Sequence, residues 1–97
     1  MSEKVHVFKD GTNLRQGGYI RRKDSDPDNV IAVIPAGFYQ AHYQCAGSDV
    51  KEGNDFNYWW VKITTSHGDG WVSAVRIATG GNNEPIPGVD PRPTAFA

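Results

Sequence analysis

The chain has 97 residues, a length that holds one domain. Ten basic residues against eleven acidic ones leave a net charge of −1, which excludes the basic surface of a general nucleic-acid binder and the polybasic patch that an anionic membrane attracts. One cysteine, Cys45, excludes an internal disulfide and a cysteine-rich zinc site, and no apolar stretch approaches the length of a membrane span.

Taken in order, Val5-His-Val-Phe8 alternates as a short strand does, and Lys9-Asp-Gly-Thr12 is a turn signal. Residues 12–18 carry little apolar content and two adjacent glycines, so a loop is expected there. Tyr19-Ile-Arg-Arg22 reads as a second strand. Residues 24–29 are a polar loop broken by Pro27. Val30-Ile-Ala-Val-Ile34 is an apolar run of strand length stopped by Pro35 and Gly37. The strand that follows sets Phe38, Gln40 and His42 opposite Tyr39, Ala41 and Tyr43. Residues 45–56 read as a long polar connection.

The most informative stretch is Asn57-Tyr-Trp-Trp-Val-Lys-Ile-Thr-Thr65 followed by Gly70-Trp-Val-Ser73. It reads as one hairpin reversed by Ser66-His-Gly-Asp-Gly70. Trp59, Val61 and Ile63 share one face; Trp60, Lys62 and Thr64 share the other. Tryptophan on both faces leads us to expect one face inside and the other shown to a ligand. Gly70 before Trp71 points to a close approach by a backbone or a ring. Ala74-Val-Arg76 fits a single 3₁₀ turn, and Ile77 closes the last strand. From Thr79 the composition shifts to proline and glycine with no period. That is the signature of a tail, or of an arm ordered by what it lies on. The expected architecture is all-β: a small, strongly bent SH3-like barrel of five to six short strands, with an extended Pro/Gly-rich C-terminal arm.

Tyr19-Ile20-Arg21, the Val30–Ile34 strand, the Pro35-Ala36-Gly37 turn, Trp60-Val61-Lys62-Ile63 and the closing Gly70-Trp71-Val72-Ser73 together resemble the bacterial SH3-type (SH3b) family. The longer connection after Cys45 is closest in style to actinobacterial members. In those a cysteine near this point can pair with a second, which this chain lacks. The resemblance spans residues 19–77 and implies a non-catalytic recognition unit. Many such units hold hydrolases on peptidoglycan; others serve as interaction modules, including in phage particles. It divides the chain into an N-terminal strand and loop (1–18), a barrel (19–78) and an arm (79–97).

Two binding surfaces follow as expectations. An aromatic groove of Tyr19, Tyr39, Tyr43, Trp60 and Trp71 would grip a sugar face or a short peptide, since ring faces lose little entropy on binding. Arg21 beside it would clamp a carboxylate, and Asp24 would take an amine. Ile86, Val89 and Phe96 would anchor the arm on a partner, on another copy or on its own barrel. Both surfaces have plainer readings: rings of a small core, and a linker.

Other constellations fall short. Asp24, Asp26 and Asp28 alternate as in a calcium loop, but Asn29 and Pro35 stand where glycine and glutamate are required. Cys45, His42 and His67 lack the third group and the cleft that nucleophilic catalysis needs. Neither a metal, a cofactor nor an enzymatic role is therefore expected. The start of the chain lacks the apolar core of a signal peptide. The expectation is cytoplasmic synthesis, with release by lysis or incorporation in a virion. The leading functional expectation is a binding module for cell-wall glycan or peptide. The alternative is a phage or particle structural protein, in decoration, tail or assembly, docking through a barrel face and the arm.

Overall fold

The computed structural model describes residues 3–16, 30–78 and 84–91. The expected strand at residues 19–22 and the acidic loop at 24–29 lie outside them. Six strands form one antiparallel sheet: β1 (Glu3–Val7), β2 (Thr12–Arg15), β3 (Val30–Ile34), β4 (Gly37–Glu52), β5 (Asp55–Thr65) and β6 (Gly68–Ser73), in the order β1-β4-β5-β6-β2-β3. A 3₁₀ turn at Ala74–Arg76 follows β6, capped by the Ser73 side chain accepting from the Val75 N–H. Ile77 then bridges back to Val7, which curls the sheet onto itself. The fold is all-β and barrel-like, with no helix among the described residues long and apolar enough to cross a membrane.

Two segments read as loops are strands. Thr12–Arg15 holds one apolar side chain, Leu14, yet pairs with β3 and, through Arg15, with Trp71 of β6. Residues 45–56 are the tip of the β4–β5 hairpin, closed by Glu52 pairing Asp55 across Gly53 and Asn54. Gly53 has φ +64°, the left-handed region that such a two-residue reversal demands.

β4 also departs from simple alternation. Ala41 faces Ile63 and Tyr43 faces Lys62, so His42 is an extra residue in the ladder. A bulge of this kind moves every later side chain to the other face. Tyr43 therefore does not share the side of Tyr39 and Ala41, as strict alternation requires. It points outward, and Gln44, opposite Val61, turns into the interior.

The main core gathers Val5, Val7, Leu14, Ile34, Ala41, Val61, Ile63, Val72 and Ile77, with Tyr39 and Trp59 half-buried against it. Gly70 lies in this layer. A Cβ there would sit 2.7 Å from Leu14 Cγ and 3.0 Å from the Arg15 carbonyl oxygen, which is the close approach its position implied.

The arm completes that core from the outside. Ile86 and Val89 are buried at 4% and 6% exposure within it. Between them Pro87 and Gly88, the latter at φ +83°, fit the two central positions of a type II turn, closed by Val89 N–H donating to the Ile86 carbonyl at 3.4 Å. The inward Gln44 holds this turn with its whole amide. Its Nε2 donates to the Ile86 and Val89 carbonyls, both at 2.8 Å, and its Oε1 accepts from Ile86 N–H at 2.7 Å. Gln44 N–H donates to the Asp90 carbonyl, and Asn57 on β5 reaches the Glu84 carbonyl at 3.4 Å. Ile86 and Val89 thus anchor the arm on its own barrel. They are not presented to a partner, and Phe96 lies outside the described residues.

Two outcomes follow. Ile86→Ala should lower unfolding free energy by about 2–5 kcal/mol, the range for emptying a buried aliphatic site, and truncation after Ala78 should lower it further; urea unfolding followed by tryptophan fluorescence measures both. An arm whose loss leaves the midpoint unchanged would contradict the packing. Gly70→Ala should cost about 1–3 kcal/mol through overpacking against Leu14, with Leu14→Ala recovering part of the loss when combined with it.

Candidate functional site

Across β4, β5, β6 and β2, the outward face carries the row Tyr43, Lys62, Trp71 and Arg15, and the next row carries Cys45, Trp60 and Ser73. These side chains build a second cluster on the reverse of the sheet. Trp60, Trp71 and Cys45 are buried at 1%, 5% and 0%, with Tyr43 and Val50 packed against them. Tyr43 meets Trp71 edge-on, at 5.6 Å between centroids and 67° between planes, and Lys62 Nζ sits 5.8 Å from the Tyr43 ring centre, at the outer reach of a cation–π contact. Trp60 Nε1 donates to the Ser48 carbonyl at 2.8 Å, which anchors the indole to the tip side of β4.

The expected aromatic groove is corrected by this packing. Tyr43, Trp60 and Trp71 do come together, but as a sealed second core with no open indole face. The alternation on β5 holds, yet both faces of the sheet are covered. Tyr39 belongs to the main core instead, and its hydroxyl donates to the Pro35 carbonyl at 2.7 Å. Tyr19, Arg21 and Asp24 lie outside the described residues. Trp59 is half-buried on the main-core face, and its Nε1 is enclosed without a hydrogen-bond partner among the described residues.

What the molecule does present is a cleft of about 120 Å³ where β2, the β4–β5 hairpin and the 3₁₀ turn converge. Thr12, Asn13 and Arg15 form one wall, Val50, Lys51 and Glu52 a second, and Ser73, Val75 and Arg76 a third, with Trp60 beneath. One ion pair ties the walls together. Arg76 Nε donates to Glu52 Oε1 at 2.6 Å, and Arg76 Nη1 donates to Thr12 Oγ1 at 3.2 Å. Thr12 in turn donates to the Lys9 carbonyl at 2.7 Å. The Arg76 and Glu52 side chains are 19% and 36% exposed, so the pair is only partly screened by water. Its position at the mouth of a cleft matters more than any contribution to stability.

None of the cleft's charged residues was singled out from the sequence. Gly53-Asn54 between Val50 and Phe56 was the available clue, since that dipeptide is a hairpin signal that places Lys51 and Glu52 on a strand end.

A third grouping is structural. His42 Nε2 lies 2.6 Å from Thr64 Oγ1, which donates to Asp69 Oδ1 at 2.7 Å. The threonine has one hydroxyl hydrogen and gives it to the carboxylate, so it must accept from His42 Nε2–H. The imidazole is therefore a donor here and does not act as a base toward that hydroxyl.

The cluster also predicts the consequence of truncating its indoles. Trp60→Ala should cost about 3–5 kcal/mol, as for a buried aromatic, and Trp60→Phe distinctly less; thermal unfolding by circular dichroism reads the difference. Equal stability of all three chains would mean that the ring is not packed as described. Comparison with protein-family models, with curated proteins and with solved structures finds no match to this chain.

Proposed function

We propose that this chain is a non-catalytic binding module of the bacterial SH3 type, and that it receives a short peptide of the cell wall in the cleft between β2, the β4–β5 hairpin and the 3₁₀ turn. The observation that carries this reading is the cleft itself: three elements distant in sequence converge on one recess, lined by polar and apolar side chains alike, above a buried ring. The resemblance of residues 19–77 to the SH3b family supports it. Sugar recognition by stacking asks for an open aromatic face, and Trp60 and Trp71 have none. The volume is also well below the roughly 300–1,000 Å³ of pockets that enclose whole small molecules. A peptide end or a single side chain is the better fit than a glycan chain. The role is recognition; no step of bond making is assigned to any residue.

A second reading, a structural protein of a phage or similar particle, draws on a different observation. Phe38 and Val33 are 70% and 58% exposed, and Phe38 lies stacked on His6 at 4.6 Å. Apolar side chains left in water on a small domain mark docking faces. On this reading the barrel face would do the docking, because the apolar anchors of the described arm are spent internally.

One experiment separates the two. Sedimentation with purified sacculi should retain the intact chain, and Asn13→Trp, which fills the cleft mouth from an exposed position, should reduce retention at least tenfold without moving the thermal midpoint. Phe38→Ser should leave retention unchanged. No retention of the intact chain, together with a defined assembly that Phe38→Ser dissolves, would reject the wall-binding reading in favour of the particle one.

A further inference from the structure

Taking that cleft as the binding site, we infer that what it recognises is a carboxylate at the end of a short peptide. Charge is the first ground. Lys51 and Arg76 line the cleft with Glu52 as the one carboxylate among its described residues, although the chain as a whole carries −1. A positive recess on a slightly negative protein selects an anionic group.

Donor accounting is the second ground. A guanidinium has five N–H donors and no acceptor. Arg76 uses one on Glu52 and one on Thr12. The remaining three have no partner among the described residues, on a side chain that is only 19% exposed. Glu52 and Thr12 fix the plane of the guanidinium, and Arg76 itself lines the cleft with its remaining donors unused among the described residues. A planar fork held this way matches the two oxygens of a carboxylate and loses little freedom on binding one. Lys51 stands on the exposed rim, with no ion-pair partner among the described residues, and supplies a second, less directional positive charge.

Size is the third ground. A recess of about 120 Å³ has room for a carboxylate and one small side chain and little more. The ligand class is therefore a peptide terminus ending in a small residue. Glu52 is also the protein's own demonstration of the preference, since a carboxylate already occupies the Nε edge of the same guanidinium.

The test uses the full chain and calorimetric titration with acetyl-Lys-D-Ala-D-Ala as the free acid, as its C-terminal amide, and with the all-L acid as a control for stereochemistry. The free acid should bind at least tenfold more tightly than the amide. Lys51→Gln should weaken the acid several-fold and leave the amide unchanged, and Arg76→Lys should erase most of the acid–amide difference. Because Arg76 also braces the walls, its variant counts only alongside an unchanged circular dichroism spectrum; Lys51→Gln, on an exposed rim, carries the test if it does not fold. Equal binding of both acids would support the carboxylate and make ordinary protein C-termini a further source. Equal affinity for acid and amide would overturn the inference while sacculus retention kept the binding module standing. Binding of neither would overturn it too, and loss of retention in the same chain would then take the module reading with it.

Discussion

The extra residue at His42 decides more of this molecule than any other local feature. One added residue in β4 turns Gln44 inward and Tyr43 outward. An amide turned into an apolar core is unfavourable unless its hydrogen bonds are met. The arm meets them: three side-chain bonds to Ile86 and Val89, and a backbone bond from the same residue to Asp90. The arrangement is reciprocal. Ile86 and Val89 close a core that the six strands leave open, and the buried amide fixes the one register in which they do so. A hydrophobic residue at position 44 would pack as well but would not specify where the turn at Pro87 and Gly88 must lie.

The same parity change governs the reverse of the sheet. With Tyr43 outward it reaches Trp71, and with Cys45 outward it lies beside Trp60. A chain of 97 residues has few ways to bury enough surface. This one does so by making a second small core where a single-layer fold would face water. Two of the three indoles are consumed there, and the third rests against the main core. Aromatic recognition on this part of the surface is thereby lost, not for want of rings but because the rings are needed for folding.

Much of the fold is legible in local pattern. Val30–Ile34 is a strand because β-branched residues run between breakers. The hairpin follows from period two around a glycine-containing turn, although residues 60–65 pair with 68–73, so that the reversal is only Ser66-His67 and Gly68 to Gly70 are already strand; the 3₁₀ turn at Ala74 follows from the strand end before it. Gly70 announced the close approach of Leu14 and the Arg15 carbonyl. What pattern does not carry is parity after a bulge. Nothing in Ala41-His42-Tyr43 distinguishes an inserted residue from an alternating one; the distinction lies in the pairing with β5 and in the arm that rewards it. Thr12–Arg15 is a strand for the same non-local reason, since only its neighbours supply the ladder. Residues 45–56 carry two opposed signals: the charges at 49, 51, 52 and 55 look like loop, while Gly53-Asn54 is a hairpin dipeptide. Pro87-Gly88 between two aliphatic residues was equally a turn signal inside a segment whose composition suggests a tail. Period two separated Trp60 from Trp59 correctly, but it assigns faces and says nothing of what covers each.

The cleft shows what remains available once such a domain has spent its rings. Most apolar side chains are committed to two cores and an arm, so beside Val50, Val75 and Trp60 the recess where three elements converge is lined by residues that strand ends and turns tolerate: threonine, asparagine, serine, lysine, glutamate and arginine. Most of these are individually weak recognition groups in water. A guanidinium is different when two of its donors are already fixed by its own protein, because the plane is then set before a ligand arrives and only the open edge remains to be matched. The brace from Arg76 to Glu52 and Thr12, which reads at first as a surface ion pair, is thus better understood as orientation. It spans the 3₁₀ turn, the β4–β5 hairpin and β2, so the elements that shape the recess and the group that would select its occupant are held by the same two nitrogens of one side chain.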